Sequence, residues 1–267
     1  MNVLCLVAHP DDETILCGGT LALLAARGAK VHLACLTRGE GGELGEPPLT
    51  DREHLGEVRE SELVCAVQRL RGKSLTFLGY VDPTIGPDDK LFAPEHDPVM
   101  LAGQIVNCVK QLEANVLLTH GSNGEYGHPA HLLLHQMTLA AVASLHKEAG
   151  ATLRVGSQSG NHAGPPLPVM YTFSAAFPDH PYPRLLNKDD SADIILDVSA
   201  YLDQKEAAAL CHQTQNALFV RRRSEQAGRQ LTVREALIPV ESLHRVFGQP
   251  DDKLSQLLNR EIASHTQ

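Results

Sequence analysis

Short apolar runs alternate with amphipathic segments through residues 1–150, and no other pattern in the chain restricts its fold as strongly. Val3 to Ala8 is a continuous apolar run of strand length, the kind expected of a strand covered on both faces. Thr14 to Arg27 then shows helical apolar spacing and stops at Gly28, a residue suited to ending a helix in the left-handed conformation. Val31 to Leu36 reads as a second buried strand. Glu53 to Leu70 reads as a helix, with Arg59, Glu60 and Glu62 on one side and Leu55, Val58, Leu63, Ala66, Val67 and Leu70 on the other. Leu75–Leu78 and Val116–Thr119 continue the strand series, and Met100–Leu112 and Leu132–His146 the helices. Strands alternating with helices predict an α/β, Rossmann-like three-layer fold, with a mostly parallel sheet joined by right-handed crossovers. Ligands of such sheets bind beyond the carboxyl ends of the strands. The stretches "AHPDDE", "TRGEGGE", "GYVDP" and "THGSNGEYGHPAH" each follow a strand, so four distant loops are expected to meet at one edge.

The C-terminal third is less regular. Residues 157–192 are rich in Gly, Pro, Ser and Asn and read as loops. Ile194–Val198 reads as a strand, Tyr201–Cys211 as a helix, and the tail from Thr232 as one or two short helices. With no repeat and no clear linker, one domain over 1–267 is expected: a Rossmann-like core over 1–150 and a loop-rich part over 151–267 that completes the pocket. A chain that is 43% hydrophobic has ample core material, although aromatics are only 4% and Trp is absent. The net charge is −9 and the one basic cluster is Arg221–Arg223, which argues against nucleic acid as a partner. The six cysteines are scattered with no C-x-x-C pair, and reduced structural thiols in an intracellular protein are expected. The N-terminal apolar run lacks the basic start of a signal peptide, and no stretch approaches the roughly 18 apolar residues of a membrane span. The expected location is the cytoplasm.

The chemistry-bearing residues cluster in two of the four loops. His9 and Asp12 lie three residues apart after the first strand, and "YGHPAH" (Tyr126–His131) follows the fourth. Zinc accepts imidazole nitrogen and carboxylate oxygen, and its catalytic sites use three protein ligands and keep one position open. His9 and Asp12 with a distant His131 make such a set. Asp11, beside Asp12, is placed to take a proton from an attacking water. The same "PDDET" also suits a helix start, where acids cap free N–H groups at the positive end of the dipole.

"AHPDDE" at 8–13 and "YGHPAH" at 126–131 resemble the two signature motifs of the LmbE / PIG-L family of zinc-dependent N-deacetylases. The resemblance extends through "LTRGEGGE", Arg59-x-x-Glu62, "FLGYVD" at 77–82 and "DVSAYLDQKEAAALCHQTQ" at 197–215, in order. It implies that His9, Asp12 and His131 hold one zinc (or another divalent transition metal) per chain. Asp11 is then the general base, and His128 the electrophilic or general-acid histidine. Tyr126 helps hold the oxyanion, Arg59 and Asp82 contact sugar hydroxyls, and His212 lines the pocket. The implied substrate is a small-molecule N-acetylglucosamine conjugate that loses acetate to leave a free amine, and a homo-oligomer is expected. The family often has Asp where this chain has Ala130, which leaves the support of the histidines open.

Other readings compete. His131 and His135 mimic a helical zinc pair, but His135 reads as a packed residue. His120 divides evenly between support of the site and structure. "GEGGELG" has the wrong spacing for a dinucleotide loop and reads as a turn or lid. Paired acids after a first strand also serve magnesium-dependent phosphotransfer modules, which would leave the histidines unexplained. A non-catalytic Rossmann-like binding protein is the third alternative, and the presence of Asp11 argues against it.

Overall fold

The computed structural model describes residues 1–155 and 167–258. The chain runs β1 (Asn2–Val7), α1 (Asp12–Ala26), β2 (Lys30–Thr37), α2 (Leu55–Arg69), β3 (Ser74–Tyr80), α3 (Pro98–Gln111), β4 (Val116–Thr119), α4 (Gly124–Gly127) and α5 (Pro129–Val155). It continues with β5 (Val169–Phe173), β6 (Ala175–Ala176), β7 (Asn187–Ser191), β8 (Ile194–Asp197), α6 (Leu202–Ala209), α7 (Gln213–Ala227), α8 (Val233–Ala236), β9 (Val240–Phe247) and α9 (Lys253–Leu258). Seven strands form one sheet in the order β3-β2-β1-β4-β5-β9-β8, and β6 and β7 form a separate pair. Strands β3 to β5 are parallel, and β9 runs antiparallel to both β5 and β8. The strand order reverses between β1 and β4, the switch point where a crevice opens in sheets of this kind.

Alternation along β1 divides the core. Val3, Cys5 and Val7 face one apolar layer with Leu21, Leu63 and Ala208 from α1, α2 and α6. Leu4, Leu6 and Ala8 face the other with Leu101, Ile105 and Leu134 from α3 and α5. Successive side chains of a strand point to opposite faces, so a strand apolar at every position is buried on both sides. The three-layer α/β expectation is met, and Gly28 ends α1 with φ 83°.

Three expectations change. The segment 157–192, read as loops, contributes β5 to the sheet, and the tail read as helices contributes β9 as well as α8 and α9; residues 156–166 of that segment lie outside the described residues. β5 is a short run preceded by Gly- and Pro-rich sequence and followed by Pro-rich sequence. β9 carries Ser242, His244 and Arg245 among its apolar residues, so neither has the long pattern of a central strand. Reduced thiols are corrected for one pair: Cys65 of α2 and Cys211 form a disulfide across a sequence separation of 146, while Cys5, Cys17, Cys35 and Cys108 are free. Spacing could not reveal it, because only the packing of α2 against α6 brings the two residues together.

Candidate metal centre

The loops after β1, β2, β3 and β4 meet at the carboxyl edge of the sheet. Ala8 N–H donates to His120 Nε2 at 3.0 Å, Thr37 N–H donates to the Ala8 carbonyl at 3.1 Å, and Gly41 N–H donates to Asp82 Oδ2 at 3.2 Å. His9 and Asp12 face inward from the turn between β1 and α1. Asp12 Oδ2 accepts from His9 N–H at 2.9 Å and lies 3.3 Å from His9 Nδ1 and 3.4 Å from His131 Nε2. His9 Nε2 is 3.3 Å from Asp82 Oδ1. The donor atoms of His9, His128 and His131 all lie within 4.8 Å of one another, as do those of Asp12, His120 and His131.

The hydrogen bonds separate histidines with an open nitrogen from histidines whose nitrogens are engaged. His131 Nδ1 donates to Glu125 Oε2 at 2.6 Å, which fixes the tautomer and leaves a lone pair on Nε2. His131 Nε2 and His9 Nε2 are both buried without a hydrogen-bond partner. Buried polar atoms are rarely left so, and two open imidazole nitrogens, one beside Asp12 Oδ2 and the other beside Asp82 Oδ1, fit a metal ion. His120 differs: its Nε2 already accepts from Ala8, and its Nδ1 donates to Glu125 Oε2 at 2.9 Å. It is a support, and His135, whose Nδ1 donates to the His120 carbonyl at 2.9 Å, is packed behind it. The titration directions of both rings reflect the carboxylates around them. Burial lowers His9, but Asp82 and Asp12 outweigh it and push it up to about 9. His131 rises to about 10 against its burial because of Asp12 and Glu125. The carboxylates favour positive charge at both rings.

Asp11 stands apart from this set. Its backbone has φ 112°, in the region L-residues avoid, and is held by its N–H on Glu13 Oε2 at 3.0 Å and by Thr14 and Ile15 N–H on its carbonyl. The reversal sends consecutive Asp11 and Asp12 in different directions. Burial pushes Asp11 up to about 6, opposed by the Arg59 guanidinium 3.6 Å away. Arg59 is only 2% exposed; it donates to the Gly39 carbonyl at 2.8 Å and to the Pro10 carbonyl, so it braces Asp11 and two loops from behind. His212 is likewise buried, its Nε2 2.8 Å from Glu13 Oε1. The buried Glu13 thus ties His212 to the backbone of Asp11. Burial and the neighbouring His9 and His131 drive His128 down to about 3. Its Nδ1 accepts from Ala130 N–H at 3.2 Å, so the neutral ring carries its proton on Nε2. The Tyr126 ring, 42% exposed, stands edge-on to His128 and His131 at 5.7 and 5.6 Å.

Sequence reasoning missed Glu125. It accepts from His120, His131, Gly121 N–H and Asn187 Nδ2. Burial would raise its carboxyl, but His120 and His131 hold it well below the usual range. It supplies the carboxylate that Ala130 cannot. Its sequence signal, "NGEYG", reads only as a turn; its partner Asn187 comes from β7, sixty-two residues away.

The PIG-L family, described as GlcNAc-PI de-N-acetylase, matches residues 4–142. A 1D-myo-inositol 2-acetamido-2-deoxy-alpha-D-glucopyranoside deacetylase of Rhodococcus jostii is 32% identical over 242 residues, covering 78% of this chain and 79% of the relative. Among solved structures, N,N'-diacetylchitobiose deacetylase from Pyrococcus horikoshii superposes with a TM-score of 0.60 at 18% identity, over 99% of this chain and 87% of that one. The 4-carboxy-2-hydroxymuconate hydratase GalB from Pseudomonas putida does so with 0.59 at 22%, over 93% and 97%. These two likenesses establish the fold and leave the reaction to the site, since one protein is a deacetylase and the other a hydratase. The match of the family to more than half of the chain, and of a relative to most of it, shows that this chain belongs to the PIG-L (GlcNAc-PI de-N-acetylase) family.

Proposed function

We propose that this protein hydrolyses the acetamide of an N-acetylglucosamine conjugate, releasing acetate and a free amine, with one zinc ion (or another divalent transition metal) held by His9, Asp12 and His131. The observation that carries the reading is the pair of buried imidazole nitrogens without hydrogen-bond partners, His131 Nε2 beside Asp12 and His9 Nε2 beside Asp82, with Asp11 next to Asp12 in the chain. When bound, the ion supplies Lewis acidity that polarises the acetyl carbonyl and makes water a competent nucleophile at neutral pH. The protein does the rest. Asp11 takes the proton of the attacking water, and its raised carboxyl suits it to return a proton to the departing amine. Neutral His128 donates from Nε2 to the carbonyl oxygen as charge develops there, and the Tyr126 hydroxyl is a second donor at the same position. Arg59 and His212 act through Asp11 rather than on the sugar, because both are buried behind it. Asp82, which faces His9 from the loop after β3, is the carboxylate available to sugar hydroxyls. Magnesium phosphotransfer is disfavoured, since two of the three proposed ligands are histidines with open imidazole nitrogens.

The test is acetate release from a panel of N-acetylglucosaminides, paired with metal analysis. The wild type should carry about one metal per chain and lose turnover on chelation. Asp11→Asn should keep the metal and lose about 10²-fold or more in kcat, as expected when a general base is removed. Full activity in Asp11→Asn, or a metal-free wild type that still turns over, overturns the assignment.

A further inference from the structure

The Cys65–Cys211 disulfide lines a groove of about 980 Å³ between α2 and the corner that joins α6 to α7. Glu57, Ser61, Glu62 and Arg69 of α2 line it from one side, and Leu210 and Gln213 of the corner from the other. Cys65 is half-buried and Cys211 nearly covered, at 7% exposure, so a molecule in the groove meets the Cys65 sulfur first. Exposed Arg69 lies one turn from Cys65 on the same face of α2, where its charge favours an arriving thiolate. Cys5 and Cys17 differ: their sulfurs stand 3.8 Å apart, but both residues are fully buried in the core.

The corner also carries His212. On one side of it, Cys211 is bonded to α2; on the other, Thr214 donates from its N–H and its hydroxyl to the Glu62 carboxylate, at 2.8 and 2.7 Å. Cys65 and Glu62 lie one turn apart, so both ties reach one face of one helix. Between them the buried His212 ring meets Glu13, with Nε2 2.8 Å from Oε1, and Glu13 Oε2 accepts from the Asp11 N–H at 3.0 Å. A short chain of contacts therefore joins the sulfurs in the groove to the backbone of Asp11, whose φ of 112° persists only while its surroundings hold it. Opening the disulfide removes one of the two ties.

We propose that the Cys65–Cys211 bond is a thiol-exchange site: a low-molecular-weight thiol enters the groove, attacks Cys65 and releases the corner, which loosens His212 and slows the reaction at Asp11. The slowing rests on the deacetylase reading, and the exchange does not. A thiolate forms a bond to the Cys65 sulfur as the Cys65–Cys211 bond breaks; the electron pair leaves on Cys211, which takes a proton from water. A second thiolate then attacks the outer sulfur of the mixed disulfide, and the Cys65 thiolate departs and is protonated. In sum, two small thiols are oxidised to their disulfide, and their two electrons and two protons leave Cys65 and Cys211 as thiols. A disulfide that a reagent can reach is the labile kind, whereas one sealed in a core is not.

Exchange is read first, without turnover. The full chain carrying Cys108→Ser, which removes the partly exposed free thiol, is equilibrated with reduced and oxidised glutathione at neutral pH, quenched with N-ethylmaleimide in denaturant and mapped by mass spectrometry. The expected products are glutathione on Cys65 with Cys211 alkylated, and then both alkylated, formed while far-UV circular dichroism stays native. A bond that opens only on unfolding, or glutathione found equally on Cys211, overturns the exchange site. Acetate release by metal-loaded protein is then followed against the fraction opened. Opening should lower kcat by about tenfold or more with KM within about twofold, and reoxidation should restore it. Cys65→Ser should match the opened protein and ignore glutathione. In His212→Gln, opening should cost no more than about twofold further, because the corner then has no ring to position. An unchanged kcat on opening, or the same fall in His212→Gln as in wild type, overturns the coupling. If no N-acetylglucosaminide releases acetate in either redox state, the deacetylase reading fails while the mapping still decides the exchange site. The coupling is then read from the imidazole nitrogen resonances of histidine-labelled protein: that of His212 must move on opening and that of His244 on β9 must not.

Discussion

At the scale of single residues, the site depends on two backbones held in an unfavourable conformation. Asp11 at φ 112° and Glu125 at φ 58° each lie where an L side chain is disfavoured by about 1–3 kcal/mol, and each aims a carboxylate that no relaxed turn would aim there. Glu125 illustrates the arrangement. Its carboxylate accepts from two histidine rings, one backbone amide and one asparagine, so its charge is fully satisfied in a buried position. Glu125→Gln keeps the shape, removes the charge and places an NH₂ group against His120 or His131. The expected result is about 10–100-fold weaker metal binding, read by competition with a chromophoric chelator. Affinity within about twofold of wild type would show that Glu125 does not orient His131.

At the scale of elements, α1 is a broken helix, and the break is served from the far end of the chain. Cys17 leaves helical geometry at φ −148°, which frees the amides of Gly19 and Thr20. Both donate to Glu241 of β9, at 2.9 and 2.7 Å, and Lys205 of α6 pairs with the same carboxylate at 2.7 Å. A Cβ on Gly19 would stand 2.5 Å from Val198, so only glycine permits this approach. Removing one partner of a buried pair leaves the other charge uncompensated. Glu241→Gln is expected to destabilise by about 3–5 kcal/mol in urea unfolding. The double variant Glu241→Gln with Lys205→Met should recover much of that loss. Equal losses in the single and double variants would mean that capping of α1, and not the ion pair, dominates.

At the scale of the whole molecule, the proposed metal ligands join parts of the chain that the sheet alone does not lock. His9 and Asp12 sit at the β1–α1 turn and His131 sits in the first turn of α5, on opposite faces of the sheet. An ion that binds the folded chain and not the unfolded one stabilises by about 2.7 kcal/mol at a hundredfold excess over its Kd. For a chain of this size that corresponds to roughly 5–10 °C in Tm. Chelation should lower Tm by that amount, and zinc should restore it. An unchanged Tm would mean that no ion bridges the β1–α1 turn and α5.

Local pattern carried the sequence a long way. The buried runs Val3–Ala8, Val31–Leu36 and Val116–Thr119 specify parallel strands because every position must be apolar when both faces are covered. The charged loops after them had to meet at one edge, which brought His9, Asp11, Asp12 and His131 together from residues 122 positions apart in sequence. What depended on long-range packing was not legible. β5 and β9 are strands only because neighbours pair with them; Glu125 is set beside His120 and His131 with the help of distant Asn187, and Cys211 finds Cys65 only when α6 packs on α2. The burial of Arg59 and His212 behind Asp11 is of the same kind. The sequence by itself determined the layers, the edge and the donor types, because these follow from periodicity and residue chemistry. The tertiary structure alone decided which nitrogens stay open and which carboxylate orients them, because those depend on contacts between segments whose local sequence does not encode each other.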